Sequence, residues 1–392
     1  MIDSFYLAWR YLRYHRLRTL LLVASLSLIG FVPAALNQLL DESQRQLMAR
    51  ADSTPLIIGA RGSRMDLVMN ALYFSNDFPT PLAAGTTGRV MDSGLADAIP
   101  LHVRFKTRLA PIVGTTLDYF DFRGLAIRDG RQLGMLGECV VGGALAEKYN
   151  LKPGDHLISA PQDLFDMAGV YPLRMSVVGV LEKNGSPDDE VTFVDIQTAW
   201  VIDGLGHGHQ DIEAIKDNAL LLESRDNTRR ASQKLDYYNE ITEQNIDSFH
   251  FHGDPDTFPL TAVIVLPHNE KSAALLKGRY LTADNAQLIT TPEVIHELLE
   301  NIFRIKRLMD AIILVVAVAM GLSVILIFLL SLRLRAREIE TVFNLGGSRS
   351  MVAQLIMAEI VLIVLLTTAV CVLLLGWLDS QSSDWVRYLL IQ

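Results

Sequence analysis

Two pairs of alternating histidines, His207-Gly208-His209 and His250-Phe251-His252, are the side chains here best suited to holding a metal ion. On an extended strand, residues two apart share a face, so each pair can aim two imidazoles the same way. Four imidazoles with Asp211 or Asp254 have the donor types that hold zinc. The pairs are far apart in sequence, and surface histidines in loops are common. The expectation is therefore no specific metal, with His207, His209, His250 and His252 as the candidates.

Other chemistry is scarce, and no catalytic residue is expected. No Gly-x-x-x-x-Gly-Lys-Ser/Thr loop is present, which argues against nucleotide hydrolysis by this chain. Neither Gly-x-Ser-x-Gly nor His-Glu-x-x-His occurs. Gly59-Ala60-Arg61-Gly62-Ser63-Arg64 is glycine-rich but lacks the lysine and the preceding strand of a phosphate cradle, so it reads as a turn. Glu359 is the conspicuous charge near the apolar runs. Its place at the edge of the third run favours an interface or partner contact over a proton relay.

The elements that must position these groups are set by three long apolar runs. Thr19–Gln38 is uncharged, although Pro33 and Asn37 weaken its end, and Ala311–Leu332 and Ile360–Leu378 are uncharged throughout. Each has about the length a helix needs to cross a hydrocarbon layer of about 30 Å. The reading is an α-helical membrane domain of three transmembrane helices with a large α/β extracytoplasmic domain inserted after the first. Its segments are a cytoplasmic amphipathic entry (1–18), helix one (19–38), an outer α/β domain with stalk (39–308), helix two (309–332), a cytoplasmic loop (333–353), helix three (354–378) and a short outer tail (379–392). The 392 residues are 50% hydrophobic and only 20% charged, below the usual share of about 25% in soluble domains. A formal charge of −9 with no basic stripe away from the membrane flanks argues against nucleic acid. Cys139 and Cys371, one in the outer domain and one in a membrane run, are poorly placed to pair.

Flanking charges orient the chain. Arg10, Arg13, Arg16 and Arg18 precede the first run, and Arg333, Arg335, Arg337 and Arg349 lie between the second and third. The positive-inside bias puts the N-terminus and that loop in the cytoplasm and the large domain outside. Arg304, Lys306 and Arg307 run locally against this, and a cleaved signal peptide competes at the N-terminus, where the basic region is unusually long for one. Phe5, Trp9, Leu12 and His15 or Arg16 recur at helical spacing, which suits a helix along the cytoplasmic interface or a plain extension of the first span.

Within the outer domain, strands are expected at 138–141, 175–181, 191–194, 219–222 and 261–265, and helices at 144–148 and, as helix or long turn, 196–205. Residues 225–239 read as a solvent-facing helix, and 283–308 as a helix running into the second span. In the loop, Arg337-Glu338-Ile339-Glu340 and Val342-Phe343-Asn344-Leu345 suggest a short amphipathic helix. Gly346-Gly347-Ser348 breaks it, and a second helix follows.

Taken in order, these segments resemble an ABC transporter permease of the FtsX/MacB type, the type VII or mechanotransmission family. Leu7-Ala8-Trp9-Arg10-Tyr11-Leu12 and Arg16-Leu17-Arg18-Thr19-Leu20 are similar to its entry into the first helix. Arg337-Glu338-Ile339 through Asn344-Leu345-Gly346-Gly347-Ser348-Arg349, with Glu359, resembles its coupling segment. Val140-Val141-Gly142 with Leu151-Lys152-Pro153-Gly154-Asp155, and Val177-Val178-Gly179-Val180-Leu181 with Asp188-Asp189, resemble the MacB-like periplasmic core. Residues 59–80, with Leu67-Val68-Met69-Asn70, resemble a permease subgroup of the same family.

The resemblance implies a multi-pass protein of the bacterial inner membrane that is itself no enzyme and holds no cofactor. ATP and Mg would be handled by a cytoplasmic ABC ATPase dimer, whose closure the coupling segment converts into periplasmic motion for export or extraction of a substrate. Glu338, Gly346, Gly347, Ser348 and Arg349 would contact that ATPase. Further partners would be membrane lipid, a second permease protomer of the same or a different chain, and a periplasmic adaptor or lipoprotein. The family's fourth membrane helix has no counterpart in residues 379–392, which are too short to span. The alternative from another class is a membrane-anchored sensor or scaffold with an extracytoplasmic ligand-binding domain.

Overall fold

The computed structural model describes residues 2–75, 78–160, 172–208, 221–225, 228–231, 239–334, 340–341, 344 and 348–391. The chain divides into two units, residues 1–46 with 297–386 and residues 47–296 with 387–392.

The first unit is helical. An entry helix, Ile2–Tyr14, precedes a first long helix, Arg16–Asp52, which continues through Pro33. The second long helix is Thr291–Leu334 and the third is Arg349–Ile391. All three long helices are long and apolar enough to cross a membrane. Residues 379–391 extend the third helix instead of leaving it. Leu12 and Leu22 pack with Ile363, while Cys371 Sγ lies 3.5 Å from the Ser27 carbonyl. Glu359, only 2% exposed, faces Arg18 at 3.9 Å, which gives the one conspicuous acid near the apolar runs a partner inside this unit. Large apolar side chains along the second long helix, including Ile312, Leu314, Val315, Ile325 and Leu326, are exposed. That surface suits lipid and would be costly in water.

The second unit holds two main sheets. One is antiparallel, with strands in the order 286–290, 56–60, 262–267 and 96–101. Its core joins Leu56, Ile58, Val263 and Val265 to Val90 and Leu276 from two covering helices, Gly85–Asp92 and Glu270–Leu281. The other is a mixed seven-stranded sheet centred on Leu173–Leu181, whose burial alternates along its first half as a strand with one face on the core requires. Strand 138–141 lies beside it and beside 192–195. Gly142 then turns the chain into the helix Gly143–Tyr149. A methyl group on Gly142 would lie 2.3 Å from the Asp189 carbonyl oxygen, so only glycine lets the chain pass there.

Three expectations need correction. The glycine-rich segment 59–64 begins in the last two residues of a strand, Leu56–Ala60, and leads into the helix Arg64–Tyr73, where Ser63 accepts from the Asp66 amide as N-cap. Residues 228–231 pair as a strand with 221–225, so the start of the segment 225–239, where a solvent-facing helix was expected, is extended; polar composition without a period does not choose between the two. Residues 286–290 form an edge strand on 56–60, so the second long helix begins only at Thr291. The strands at 138–141, 173–181, 192–195 and 262–267 and the helices at 143–149 and 196–202 fall where the sequence places them; residues 219–220 lie outside the described residues.

Candidate functional site

Three features bear on function: the anchor of the first long helix, the segment between the second and third long helices, and the histidine cluster.

Arg50 closes the last turn of the first long helix and is buried. Its Nη1 and Nη2 donate to the Asp188 carboxylate at 2.7 and 3.0 Å, and Nη2 also donates to Tyr119 Oη at 3.0 Å. The Tyr119 hydroxyl donates in turn to Asp188 Oδ1 at 2.8 Å, and Ser186 Oγ donates to Oδ2 at 2.9 Å. Arg50 also lies over the Phe74 ring, 5.5 Å from its centroid. Next to it, Arg123 donates to Ser53 Oγ and Thr54 Oγ1, each at 2.8 Å. Burial alone would raise the Asp188 carboxyl, but the Arg50 charge and its hydrogen bonds hold it below the usual range. Burial and the Asp188 charge push the Tyr119 hydroxyl up to about 12. A buried bidentate pair with a third hydrogen-bonded member is a geometrically specific lock. Sequence reasoning singled out Asp188-Asp189 and missed Arg50, Tyr119 and Arg123. Nothing local marks Arg50, whose partners lie 69 and 138 residues away.

In the segment between the second and third long helices, Glu338, Gly346 and Gly347 lie outside the described residues. Ser348 and Arg349 are exposed. Ser348 Oγ accepts from the Met351 amide at 3.2 Å, which makes it the N-cap of the third long helix. Helix initiation thus accounts for a serine at this position without any partner.

The histidine cluster is built on a two-stranded antiparallel ladder, Gly206–Gly208 with Phe249–Phe251, in which His207 stands opposite His250. His252 extends the ladder, its amide donating to the Leu205 carbonyl at 3.1 Å. Donor atoms of His207, His250 and His252 lie within 4.8 Å of one another. Among the described residues this is the one convergence of three or more histidine, cysteine or carboxylate side chains. His209 and Asp211 lie outside the described residues. The Asp254 carboxylate accepts from the Asp256 amide and caps the turn 255–257, so it belongs to that turn and not to the cluster. Cys139 is buried and, like Cys371, unbridged.

The fold thus defines a class: a chain with three helices able to span a membrane and a large α/β domain inserted between the first two. No family model matches the chain, and no curated protein matches it. Among solved structures it is similar to the extracellular domain of the noncanonic ABC-type transporter YknZ from Gram-positive bacteria. The identity is 14%, with 60% of this chain and 98% of that one covered and a TM-score of 0.33. It is also similar to the periplasmic region of MacB from Actinobacillus actinomycetemcomitans, at 11% identity, 63% and 93% coverage and a TM-score of 0.34. Likenesses this remote carry no functional weight.

Proposed function

We propose that this chain is the permease subunit of a mechanotransmission ABC transporter. A separate cytoplasmic ATPase closes on ATP and moves the segment 333–353. The long helices carry that motion to the inserted domain, which exports or extracts a substrate on the outer side. The chain lies in a bacterial inner membrane with its N-terminus inside. Glu338, Gly346, Gly347, Ser348 and Arg349 face the ATPase, and a second permease protomer completes the assembly.

The observation that carries this reading is the length and anchoring of two helices. The first and second long helices have 37 and 44 residues, against about 20 needed to cross the bilayer. At 1.5 Å per residue they reach about 55 and 66 Å. The first is locked at its end by the Arg50–Asp188–Tyr119 network, and the second starts directly from an edge strand, with Val294 and Ile295 buried. A passive anchor needs neither the extra length nor a buried ionic lock, whereas a lever needs both.

The test is partner capture from native membranes. A photo-crosslinking residue replaces Arg349, which is exposed; Ser348 is left intact because it caps the helix. Recovery of an ATP-binding subunit joined at that site, increased by nucleotide trapping, is expected. An intact preparation with no such subunit under trapping conditions overturns the permease reading and leaves the sensor or scaffold.

A further inference from the structure

We propose that His207, His250 and His252 form a surface site for one divalent d-block cation, with zinc the best match. The inference is independent of the permease reading.

The ladder that carries the three imidazoles is built to hold them on one face. Phe249 and Phe251 alternate with His250 and His252, so the phenyl rings take one face of the strand and the imidazoles the other. Both rings pack against the core of the seven-stranded sheet, and Phe251 also meets Trp200 edge-on at 6.5 Å. On the facing strand the pattern is Gly206-His207-Gly208. A methyl on Gly206 would come within 2.7 Å of Phe251 Cε1, and one on Gly208 within 2.6 Å of Phe249 Cε2. The two phenyl rings therefore occupy the space that side chains at 206 and 208 would take. Aromatic rings laid over cross-strand glycines fix register, and here that register sets His207 against His250.

The rings have closed up on that outer face. Their centroids are 5.1 Å apart for His207 and His250, 4.8 Å for His207 and His252, and 4.6 Å for His250 and His252. Two imidazoles on one tetrahedral zinc, each at about 2.0–2.1 Å, place their nitrogens about 3.3 Å apart. The donor atoms here lie within 4.8 Å of each other, so modest side-chain rotation brings them to a common ion. His250 Nδ1 lies 3.2 Å from the Ser248 carbonyl. Donation to that oxygen fixes the tautomer that leaves Nε2 to bind metal, the usual support for a histidine ligand. Imidazole suits zinc, copper and nickel and disfavours magnesium and calcium. Three ligands leave a fourth position open, and His207 and His252 are exposed, so the site suits an exchangeable ion more than a structural one.

The test uses the full-length protein in detergent, stripped with a chelator and titrated with Zn²⁺ against a chromophoric competitor. Co²⁺ is titrated in parallel while its visible absorption reports coordination geometry. One Zn²⁺ per chain and a tetrahedral Co²⁺ spectrum are expected. His207→Ala, His250→Ala and His252→Ala should each weaken binding at least about tenfold, and the triple variant should lose one equivalent. Thermal unfolding without metal checks each variant; one that unfolds is replaced by the asparagine substitution at the same position. Zn²⁺ binding with unchanged stoichiometry and affinity in the folded triple variant overturns the proposal, as does binding no tighter in the wild type.

Discussion

Arg50 illustrates how much one side chain can hold. Removing one partner of a buried ion pair leaves an uncompensated charge and costs about 3–5 kcal/mol, while replacing both with apolar groups is often close to neutral. Arg50→Met or Asp188→Leu alone should therefore lower the unfolding temperature of the purified protein sharply, and the double variant should lose less than the sum. Additive losses would show that the pair is not the lock described. The same pair sets a pH dependence. Because the native Asp188 carboxyl titrates below its unfolded value of about 3.9, its contribution is complete above about pH 4 and is lost as pH falls through the lower native value. The stability gap between wild type and Asp188→Asn should be constant from pH 7 to 5 and shrink below about pH 4; a gap that closes between pH 7 and 5 would contradict it. At this scale the sequence was partly legible. The histidines could be picked out because alternation on a strand is a local pattern. The lock could not, because its members meet only through tertiary structure.

At the scale of elements, the long apolar runs were readable because an uncharged stretch as long as a bilayer is wide rarely arises in a water-soluble domain. Strands were readable where apolar alternation meets β-branched residues, as with Met175, Val177, Val178 and Val180 in the strand Leu173–Leu181. Ala286-Gln287-Leu288-Ile289-Thr290 offers no such run, and its strand exists because it completes the edge of 56–60. The ladder at 206–208 and 249–251 makes a further expectation. Gly206→Ala drives a methyl into the Phe251 ring, so it should destabilise the protein by about 1–3 kcal/mol and weaken Zn²⁺ binding together. Thermal unfolding and zinc competition check this; full retention of both would show that the glycines do not set the register. With Cys371 changed to serine, a cysteine at exposed Asp118 should react with a membrane-impermeant thiol reagent on spheroplasts, and one at exposed Tyr14 only after lysis. The reverse pattern would invert the topology.

For the whole molecule, the proposed permease function requires that nucleotide state in the cytoplasm be felt by residues 47–296. The chain passes between its two units inside helices, at 46–47 in the first long helix, at 296–297 in the second and at 386–387 in the third. A continuous helix transmits displacement far better than a flexible linker, so a glycine-serine insert between Gln46 and Leu47 should cut the link. Hydrogen exchange by mass spectrometry measures this on the chain assembled with the proposed ATPase, nucleotide-free against nucleotide-trapped. The expected result is altered protection within 47–296 on trapping in the wild type, weakened by the insert while the ATPase still hydrolyses ATP. Identical protection of 47–296 in the two nucleotide states of the wild-type complex would contradict it.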